Sequence, residues 1–529
     1  MRVVLILFAL LFSLGHTAQG GEEHVRLTNL PHVYIQTFTG EGVYSTSKMV
    51  YARLWYVDEQ DSVAYYDSLQ VRVRGNSTAN LAKKPYKLKF NKKTRLLGKG
   101  YANAKKWTLL ANHADKTLLR NAVTSLMGER AGLRFNPAAK FIDLTLNGRY
   151  VGNYQISDHV DVRPHRVDVA EQDYPLGEES NISGGYLLEA DGFRDFVTEW
   201  EAMNSGGVPT GFLSARSQVP VRIHYPDDDE IARSQFTYIQ RFVNAFERRL
   251  FAADFDDPQS GWHPLVDSVS LVNWYVCTEI SANVDGFFSA YFYKDQDDDR
   301  LFWGPLWDYD VAYNNDNRTD RGGTSNTVNQ LMKDYGYGST NGCRKWVQQM
   351  WKDPWFARLV NNRFRELVDG GLEQYLNEKI DSLVALVSQS QQLNYQRWGI
   401  DRRTYHERVL YSSYDRYVDD LRDFIHRHLE YLTTTFQSLA PDDPAPDDVP
   451  RLTLDYALAY APDRQFLHFG ADDRAALAFK VSLFDHAGRL VATFLASDGF
   501  YAHKLPDGLY VATWQHEGRR QSVKFLKNS

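Results

Sequence analysis

The chain has 529 residues, more than one hydrophobic core usually holds, so we expect two or three folding units. Its formal net charge of −7 at pH 7 argues against a nucleic-acid-binding protein, because such proteins normally carry a basic face. A hydrophobic fraction of 43% and an aromatic fraction of 14% indicate a globular chain with large aromatic cores.

Residues 1–20 have the composition of a secretory signal peptide. Met1-Arg2 is a basic start, Val3–Leu14 is an apolar run, and small and polar residues follow. The apolar run is too short to cross a bilayer, and no later stretch is long and apolar enough. We therefore expect export to the periplasm and no transmembrane segment in the mature chain.

The two cysteines leave the redox question open. In an oxidising compartment Cys277 and Cys343 could form a disulfide. Cys277 also lies in an apolar helical pattern, so it could equally be a buried free thiol.

The first part of the chain predicts strands and one prominent helix. Apolar residues recur at helical spacing over Leu118–Gly132. Asn147-Gly148 between Phe141–Leu146 and Tyr150–Ile156 is typical of a β-hairpin. The other segments with strand-like alternation are Val33–Ile35, Met49–Val57, Leu69–Arg74, Pro85–Phe90 and Trp107–Ala111.

A glycine turn and a basic strand lie within this part. In Val71–Ser77, glycine lets backbone N–H groups approach a phosphate, and a strand lysine can then reach the phosphate oxygens. Lys87 and Lys89 share one face of the strand in Lys83–Phe90. The alternative is a solvated edge strand, which lysines commonly protect.

The second half predicts helices and then a separate β unit. A Pro- and Asp-rich linker occupies residues 437–450. An α-rich half behind a β-rich half fits a two-lobed protein with a cleft. The predicted helices are Ile231–Phe251, Leu265–Ile280, Trp355–Val368, Leu372–Gln391 and Tyr411–Phe436, and the predicted strands are Phe479–Phe484, Leu490–Phe494, Leu509–Trp514 and Ser522–Leu526.

Three acids carry the main chemical signal. Asp308 and Asp310 end the aromatic run Phe302–Asp310, and their side chains would share one face if the segment were extended. Such a carboxylate pair suits Mg²⁺, which takes oxygen ligands. Asp285 lies upstream in a polar loop, and protein kinases use this order of loop acid, strands and metal acid. The alternative is that Asp308 and Asp310 cap a turn.

Several motifs, in one order, carry a family resemblance. Together they resemble the CotH family of secreted atypical protein kinases, over about residues 30–435. The resemblance implies a kinase-like fold, ATP with Mg²⁺ or Mn²⁺, and phosphorylation of Ser or Thr on secreted or surface proteins. The motifs are Arg74–Ser77, Lys83–Phe90, Trp107–Asn112, Asp115, Leu119–Asn121, Leu146–Tyr154, Gly185–Glu189 and Pro305–Asp310.

The resemblance also implies roles for individual residues. Asp285 matches the catalytic-loop aspartate that orients or deprotonates the acceptor hydroxyl, and Asp308 matches the metal-binding acid. Asp310 is a second metal ligand or a positioning residue. The residues expected to bind the nucleotide are Lys87, with Lys84 and Lys89 as rivals, Arg74 and Ser77 at the glycine turn, and Glu189.

Two positions depart from the family pattern. Ser289 follows the loop aspartate where many members carry asparagine, and Asp158 stands where many end the hairpin with glutamate. These departures leave room for an alternative, a weak or inactive kinase-fold surface protein that acts as an adhesin or binding module.

The last 75 or so residues resemble the C-terminal sorting domain of the type IX secretion system. The matching segments are Val481–Val491, Leu505–Val511 and Val523–Leu526. This resemblance implies a Bacteroidetes-type cell, recognition by the type IX machinery and a final location at the outer surface or outside the cell. An ordinary β-sandwich module is the alternative.

We therefore expect an α+β protein. An atypical protein-kinase-like two-lobed domain would span residues 25–436, and a small all-β sandwich domain would span residues 451–529.

Overall fold

The chain divides into two compact units, Met1–Pro441 and Asp442–Ser529. The predicted signal peptide and the predicted linker beyond residue 440 lie outside the described residues. The computed structural model describes residues 24–191, 210–319, 327–335, 342–440, 458–461, 466–469, 480–485, 489–496, 500–501, 505–516 and 519–527.

A closed barrel of seven strands forms the first part of the larger unit, in the order β1-β2-β3-β4-β5-β7-β6. Neighbouring strands are antiparallel, except that β1 and β6 are parallel and close the barrel. The strands are β1 (His32–Thr37), β2 (Val50–Val57), β3 (Val63–Val73), β4 (Tyr86–Thr94), β5 (Ala104–Leu110), β6 (Ala139–Leu146) and β7 (Arg149–Asp158).

The interior of the barrel follows from strand alternation. On β4, Tyr86, Leu88 and Phe90 are buried in the barrel core, whereas Lys87 and Lys89 point outward. The prediction that the two lysines share one face is confirmed. The predicted hairpin is also confirmed, since Asn147 and Gly148 join β6 to β7 with φ values of 50° and 71°.

A second, antiparallel sheet has five strands in the order β12-β11-β8-β10-β9. Its central strand, β8, is buried along its whole length, including the acids Glu189 and Asp191. The strands are β8 (Tyr186–Asp191), β9 (Gly211–Leu213), β10 (Pro220–Tyr225), β11 (Ser289–Lys294) and β12 (Phe302–Trp303).

The helices described confirm the α-rich second half. Helix α3 is buried at every side chain from Ser270 to Ser281, and the Asp267 carboxylate caps it by accepting from the Ser270 N–H at 2.8 Å. The helices are α1 (Arg120–Arg130), α2 (Arg233–Leu250), α3 (Ser268–Ser281), α4 (Arg344–Met350), α5 (Pro354–Asp369), α6 (Leu372–Trp398) and α7 (Tyr414–Leu439).

Helix α6 packs directly on strand β7 of the barrel. The Asn153 N–H donates to Asn394 Oδ1 at 3.2 Å, and the Trp398 indole donates to the Val151 carbonyl at 2.8 Å. A Cβ on Gly152, whose φ is 137°, would lie 2.6 Å from Asn394 Oδ1. The glycine therefore permits this close approach.

Helix boundaries and one backbone conformation differ from the sequence expectations. Helix α1 begins at Arg120 because Leu118 has a φ of 65°, and α7 continues to Leu439, inside the range expected to be linker. The chain is not extended at Asp308, whose φ is 68°. The carboxylates of Asp308 and Asp310 therefore do not leave one face of a strand.

The smaller unit is all-β within its described residues. It contains a three-stranded sheet, β13-β14-β17, and a four-stranded sheet, β16-β15-β18-β19. Phe500 of the first sheet packs against the buried cluster around Val481 and Trp514 of the second. The strands are β13 (Leu458–Ala461), β14 (Phe466–Phe469), β15 (Lys480–Asp485), β16 (Leu490–Leu495), β17 (Phe500–Tyr501), β18 (Gly508–His516) and β19 (Arg519–Lys527).

Two further expectations can be compared with these elements. Cys277 and Cys343 are both buried free thiols, so they form no disulfide with one another. Across the described ranges, no helix has the length and apolar character to cross a membrane. A kinase-like arrangement of two lobes stays a prediction, and the established architecture is the barrel with the five-stranded sheet and helices.

Candidate functional site

The loop after α3 carries Asp285 and is fixed to the segment that carries Asp308. Ala282 ends α3 in the left-handed conformation, with a φ of 44°. The buried Asn283 then accepts from the Asp285 N–H at 3.1 Å and donates to the Asp308 carbonyl at 3.3 Å. One amide side chain thus holds the two predicted acidic positions together.

Asp308 and Asp310 lie in different surroundings. The Asp308 side chain is exposed to solvent within a cleft, and the Asp310 residue is 8% exposed. The backbone at Asp308 is held in place because the neighbouring Tyr309 N–H donates to Asn121 Oδ1 at 2.8 Å. Residue Asn121 belongs to α1, so this helix positions the acidic segment.

The carboxylates of this region repel one another. The cleft walls desolvate Asp308 and raise its pKa, an effect that Arg74 opposes and the carboxylates of Asp285 and Glu189 reinforce. Burial, with the charge of Asp308, raises the pKa of Asp310 well above its usual range. A cation bound here would relieve that repulsion.

The donor set suits a hard divalent cation. Asp308 and Asp310 offer carboxylate oxygens, and Mg²⁺ is commonly held by one or two carboxylates together with water and substrate phosphates. Within the ranges that the structure describes, no group of three or more His, Cys, Asp or Glu side chains is placed to hold a metal. The residues present therefore fit a metal shared with phosphates rather than an all-protein cage.

Arg74 is the cation whose charge opposes the raised pKa of Asp308. Its guanidinium lies 5.3 Å from the centroid of the Trp307 ring and is half-buried. Gly75, with a φ of 88°, turns the chain from β3 toward Ser77, which is exposed and begins a short 3₁₀ turn. The structure therefore brings Arg74 to Asp308, while Ser77 lies against the phenol of Tyr405 near Asp285.

The three candidate lysines lie in three environments. Lys87 Nζ is 3.3 Å from His159 Nε2, and burial together with Lys106 and Arg72 lowers the pKa of Lys87 to about 7. Lys84 donates to the Ala79 carbonyl at 2.8 Å. Lys89 is exposed on the outer face of β4. Lys87 is therefore partly buried among other cations, whereas a backbone carbonyl holds Lys84 and Lys89 faces solvent.

Lys83 has a structural role that its sequence position did not reveal. It is 1% exposed and donates to the carbonyls of Ala111 at 2.7 Å and Asn153 at 2.5 Å. It therefore ties the end of β5 to β7.

Glu189 lies opposite Tyr291 in the register of β8 and β11 and is 9% exposed. Its carboxylate is 2.6 Å from His224 Nε2 on β10. The charge of Glu189 contributes to the raised pKa of Asp308, so it belongs to the same electrostatic neighbourhood.

Comparison with known proteins identifies the family of this chain. A model of the family described as CotH kinase protein matches residues 71–432. The chain belongs to the CotH kinase family. The matched region is more than half of the chain and includes every predicted site residue. A search of curated proteins finds none that matches it.

A chain of amides in this CotH family member connects the barrel to the acidic segment. Gln155 Oε1 on β7 accepts from Asn112 Nδ2 at 2.8 Å, and Asn112 Oδ1 accepts from Asn121 Nδ2 at 3.0 Å. Asn121 then holds the Tyr309 N–H. Asn112 and its partner Gln155 are 43 residues apart, so no local pattern could have indicated the pair.

Asp115 fixes the start of helix α1. Its carboxylate accepts from the Arg120 N–H at 2.8 Å and from the Thr117 N–H at 2.9 Å, and it pairs with the Arg120 guanidinium. Arg120 also donates to the Ala312 carbonyl at 3.0 Å, just beyond the acidic segment. Helix α1 is therefore fixed at its start to the chain around the site.

Sequence reasoning missed Arg318. Its guanidinium contacts both carboxylate oxygens of Asp285: Nη1 donates to Oδ1 at 3.0 Å, and Nη2 donates to Oδ2 at 2.6 Å. The Asp285 side chain is 34% exposed, so one side of it stays open to solvent. The 33 residues between Arg318 and Asp285 explain why no sequence spacing indicated the pair.

A cavity of about 370 Å³ adjoins Asp308. It lies between α1, the β5, β6 and β7 side of the barrel and the segment that leads to Asp308. Its volume falls within the range of small-molecule pockets. The residues that line it next to the site include Asn121, Gln155, Leu306, Trp307 and Asp308.

Proposed function

We propose that this chain is an exported protein kinase that transfers the γ-phosphoryl group of ATP to Ser or Thr hydroxyls of secreted or surface proteins. Membership of the CotH kinase family supports the reaction class. The observation that carries the proposal is the convergence of Asp285, Asp308 and Arg74, since a loop acid, a metal acid and a phosphate-binding cation are the parts that phosphoryl transfer needs.

In this proposal Asp308 and Asp310 hold Mg²⁺ or Mn²⁺. Their mutual repulsion supports this role, because a bound cation would relieve it and would favour the ionised form of both carboxylates. Such a cation would supply the positive charge that offsets the charge on the ATP phosphates. Asn283 and Asn121 keep the acidic segment in register with the loop acid.

Arg74, Lys87 and Ser77 provide the phosphate-binding side of the site. Arg74 already neighbours Asp308, and the glycine turn leaves the Ser77 hydroxyl exposed. With a pKa near 7, Lys87 is partly charged at neutral pH. A phosphate beside it would favour the charged ammonium, so binding is coupled to proton uptake.

Asp285 orients the acceptor hydroxyl. Arg318 takes one interaction from each carboxylate oxygen, and each oxygen keeps a further lone pair. The open side of Asp285 gives an acceptor side chain access to that lone pair.

A binding protein without turnover is the second candidate. Ser289, the first residue of β11, is half-buried where many CotH members carry asparagine. A serine hydroxyl supports a metal-bound water less well than an amide carbonyl does. Such an adhesin would keep the fold without any need for ATP.

Export is proposed from the two ends of the sequence. Residues 1–20 would direct the chain to the periplasm, and residues 451–529 would pass it to the type IX machinery for outer-surface display or release. Support comes from the composition of the first segment and from the all-β second unit.

Substitution of the loop acid tests the reaction. Asp285→Asn should reduce phosphoryl transfer by about 10²-fold or more, because the hydroxyl loses its proton acceptor. Transfer from γ-labelled ATP to the chain itself or to a generic acceptor protein would be measured with Mg²⁺ and Mn²⁺. The matched control is Asp254→Asn, which changes a surface aspartate whose carboxylate accepts a hydrogen bond from the Ser260 hydroxyl. Full transfer by Asp285→Asn would refute the assigned role.

A further inference from the structure

Arg318 and Asp285 form a two-pronged ion pair at the proposed catalytic loop. The two terminal nitrogens of the guanidinium each reach a different carboxylate oxygen, at 3.0 Å and 2.6 Å. This geometry fixes the plane of the carboxylate as well as its position. Backbone contacts through Asn283 hold the Asp285 main chain but leave its side-chain torsions free.

Arg318 is itself held from the opposite side. The Arg318 Nε lies 3.0 Å and 2.9 Å from the two carboxylate oxygens of Asp316, a residue that is 1% exposed. The backbone N–H of Arg318 also donates to Asp316 Oδ1 at 2.8 Å. The preceding residue, Asn317, donates its N–H to the His406 carbonyl at 2.7 Å. Residue His406 lies in the connection between α6 and α7, so the guanidinium is anchored to the helical part of the unit.

We infer that Arg318 is a positioning residue for Asp285 and that phosphoryl transfer depends on it. The inference rests on the proposed kinase function. Arg318 sets the direction of the lone pairs that Asp285 offers to an acceptor hydroxyl. The sequence alone indicated no residue with this positioning role.

The role predicts a distinct kinetic signature. Arg318→Ala should lower kcat by on the order of 10²-fold, the cost typical of a misplaced catalytic group, with little change in the KM for ATP. Arg318→Lys should recover only part of kcat, because an ammonium cannot contact both oxygens in the same plane. Added guanidinium ion should restore part of the activity of Arg318→Ala.

A double substitution separates positioning from folding. If Arg318 acts through Asp285, adding Arg318→Ala to Asp285→Asn should cause no further loss of kcat. Arg300→Ala is the matched control, since Arg300 makes a similar two-pronged pair with Asp298, at 2.8 Å and 2.7 Å, in the turn between β11 and β12 outside the site. Thermal unfolding of every variant shows whether it is folded, and Arg318→Gln serves if the alanine variant is not.

The experiment uses the mature full-length chain, γ-labelled ATP and Mg²⁺ or Mn²⁺. A loss of kcat in Arg318→Ala, with guanidinium rescue and no additivity with Asp285→Asn, supports the inference. Two results with an active wild type overturn the inference and leave the kinase proposal standing. In the first, folded Arg318 variants keep full kcat. In the second, Arg318→Ala lowers kcat by the same factor in the Asp285→Asn background as in the wild type. A folded wild type without any transfer overturns both.

Discussion

At the scale of single residues, the site depends on groups whose charges are not balanced by near neighbours. Asp308 and Asp310 repel each other, and Lys87 is crowded by Lys106, Arg72 and Arg74. Such shifted pKa values are frequent where a protein binds a charged ligand. In a metal–phosphate complex, the metal ion would balance the charge of the acids and the phosphates would balance the charge of the cations.

The lowered pKa of Lys87 predicts pH-dependent nucleotide binding. Because the ammonium form is lost as pH rises through about 7, the affinity for ATP should fall between pH 6 and pH 8.5. Lys87→Arg should flatten this dependence, since arginine stays charged throughout. Titration of ATP at fixed Mg²⁺ over this pH range checks the prediction.

Lys89→Arg is the control for that experiment, because Lys89 is exposed on the same face of β4. Its pH dependence should match the wild type. A wild-type affinity that does not change over the range would contradict the assignment of Lys87 to the phosphates.

At the scale of elements, helix α1 links the barrel to the acidic segment. Asp115 fixes its start, Asn121 holds the Tyr309 N–H, and Arg120 reaches the Ala312 carbonyl. A helix-length pattern in the sequence predicted this element, but its contacts with residues about 190 positions away could not be read from any local spacing.

Loss of the α1 cap should be costly. Asp115→Ala removes the acceptor of the Arg120 N–H and leaves the 1%-exposed Arg120 guanidinium without its carboxylate. Breaking a buried pair on one side typically costs about 3–5 kcal/mol. Chemical denaturation with the full chain measures the difference in unfolding free energy.

Asp227→Ala provides the comparison, since it breaks a pair with Lys106 whose partners are 29% and 44% exposed. That loss should stay below about 1 kcal/mol. An Asp115→Ala variant as stable as Asp227→Ala would contradict the role of the cap.

The success of sequence reasoning differs between elements for physical reasons. Alternation along β4 predicted its two faces, and Asn147-Gly148 predicted a hairpin, because both depend on neighbours in sequence. Closure of the barrel by parallel β1 and β6 depends on non-local pairing. The left-handed backbone at Asp308 and the Arg318–Asp285 pair are likewise set by tertiary contacts.

At the scale of the whole molecule, the two units have separate cores. The larger unit contains every residue of the candidate site, and the smaller unit has its own cluster around Val481, Tyr510 and Trp514. A separate core allows the second unit to serve an addressing role without contributing to the chemistry.

Deletion of residues 451–529 tests that division. The truncated chain should stay in the periplasm and keep its nucleotide-binding properties, because the proposed sorting signal is lost and the site is retained. Surface labelling of intact cells, with fractionation, follows the location. Surface display of the truncated chain would refute the sorting role of the tail.

The most direct test of the central claim is thermal unfolding of the mature chain with ATP, with and without Mg²⁺ or Mn²⁺. A ligand that binds only the folded state raises the melting temperature. We expect an increase in melting temperature that requires both ATP and the divalent cation and that is lost in Asp308→Ala. No shift at millimolar nucleotide, or an equal shift in Asp308→Ala, would contradict a metal-dependent nucleotide site at this position.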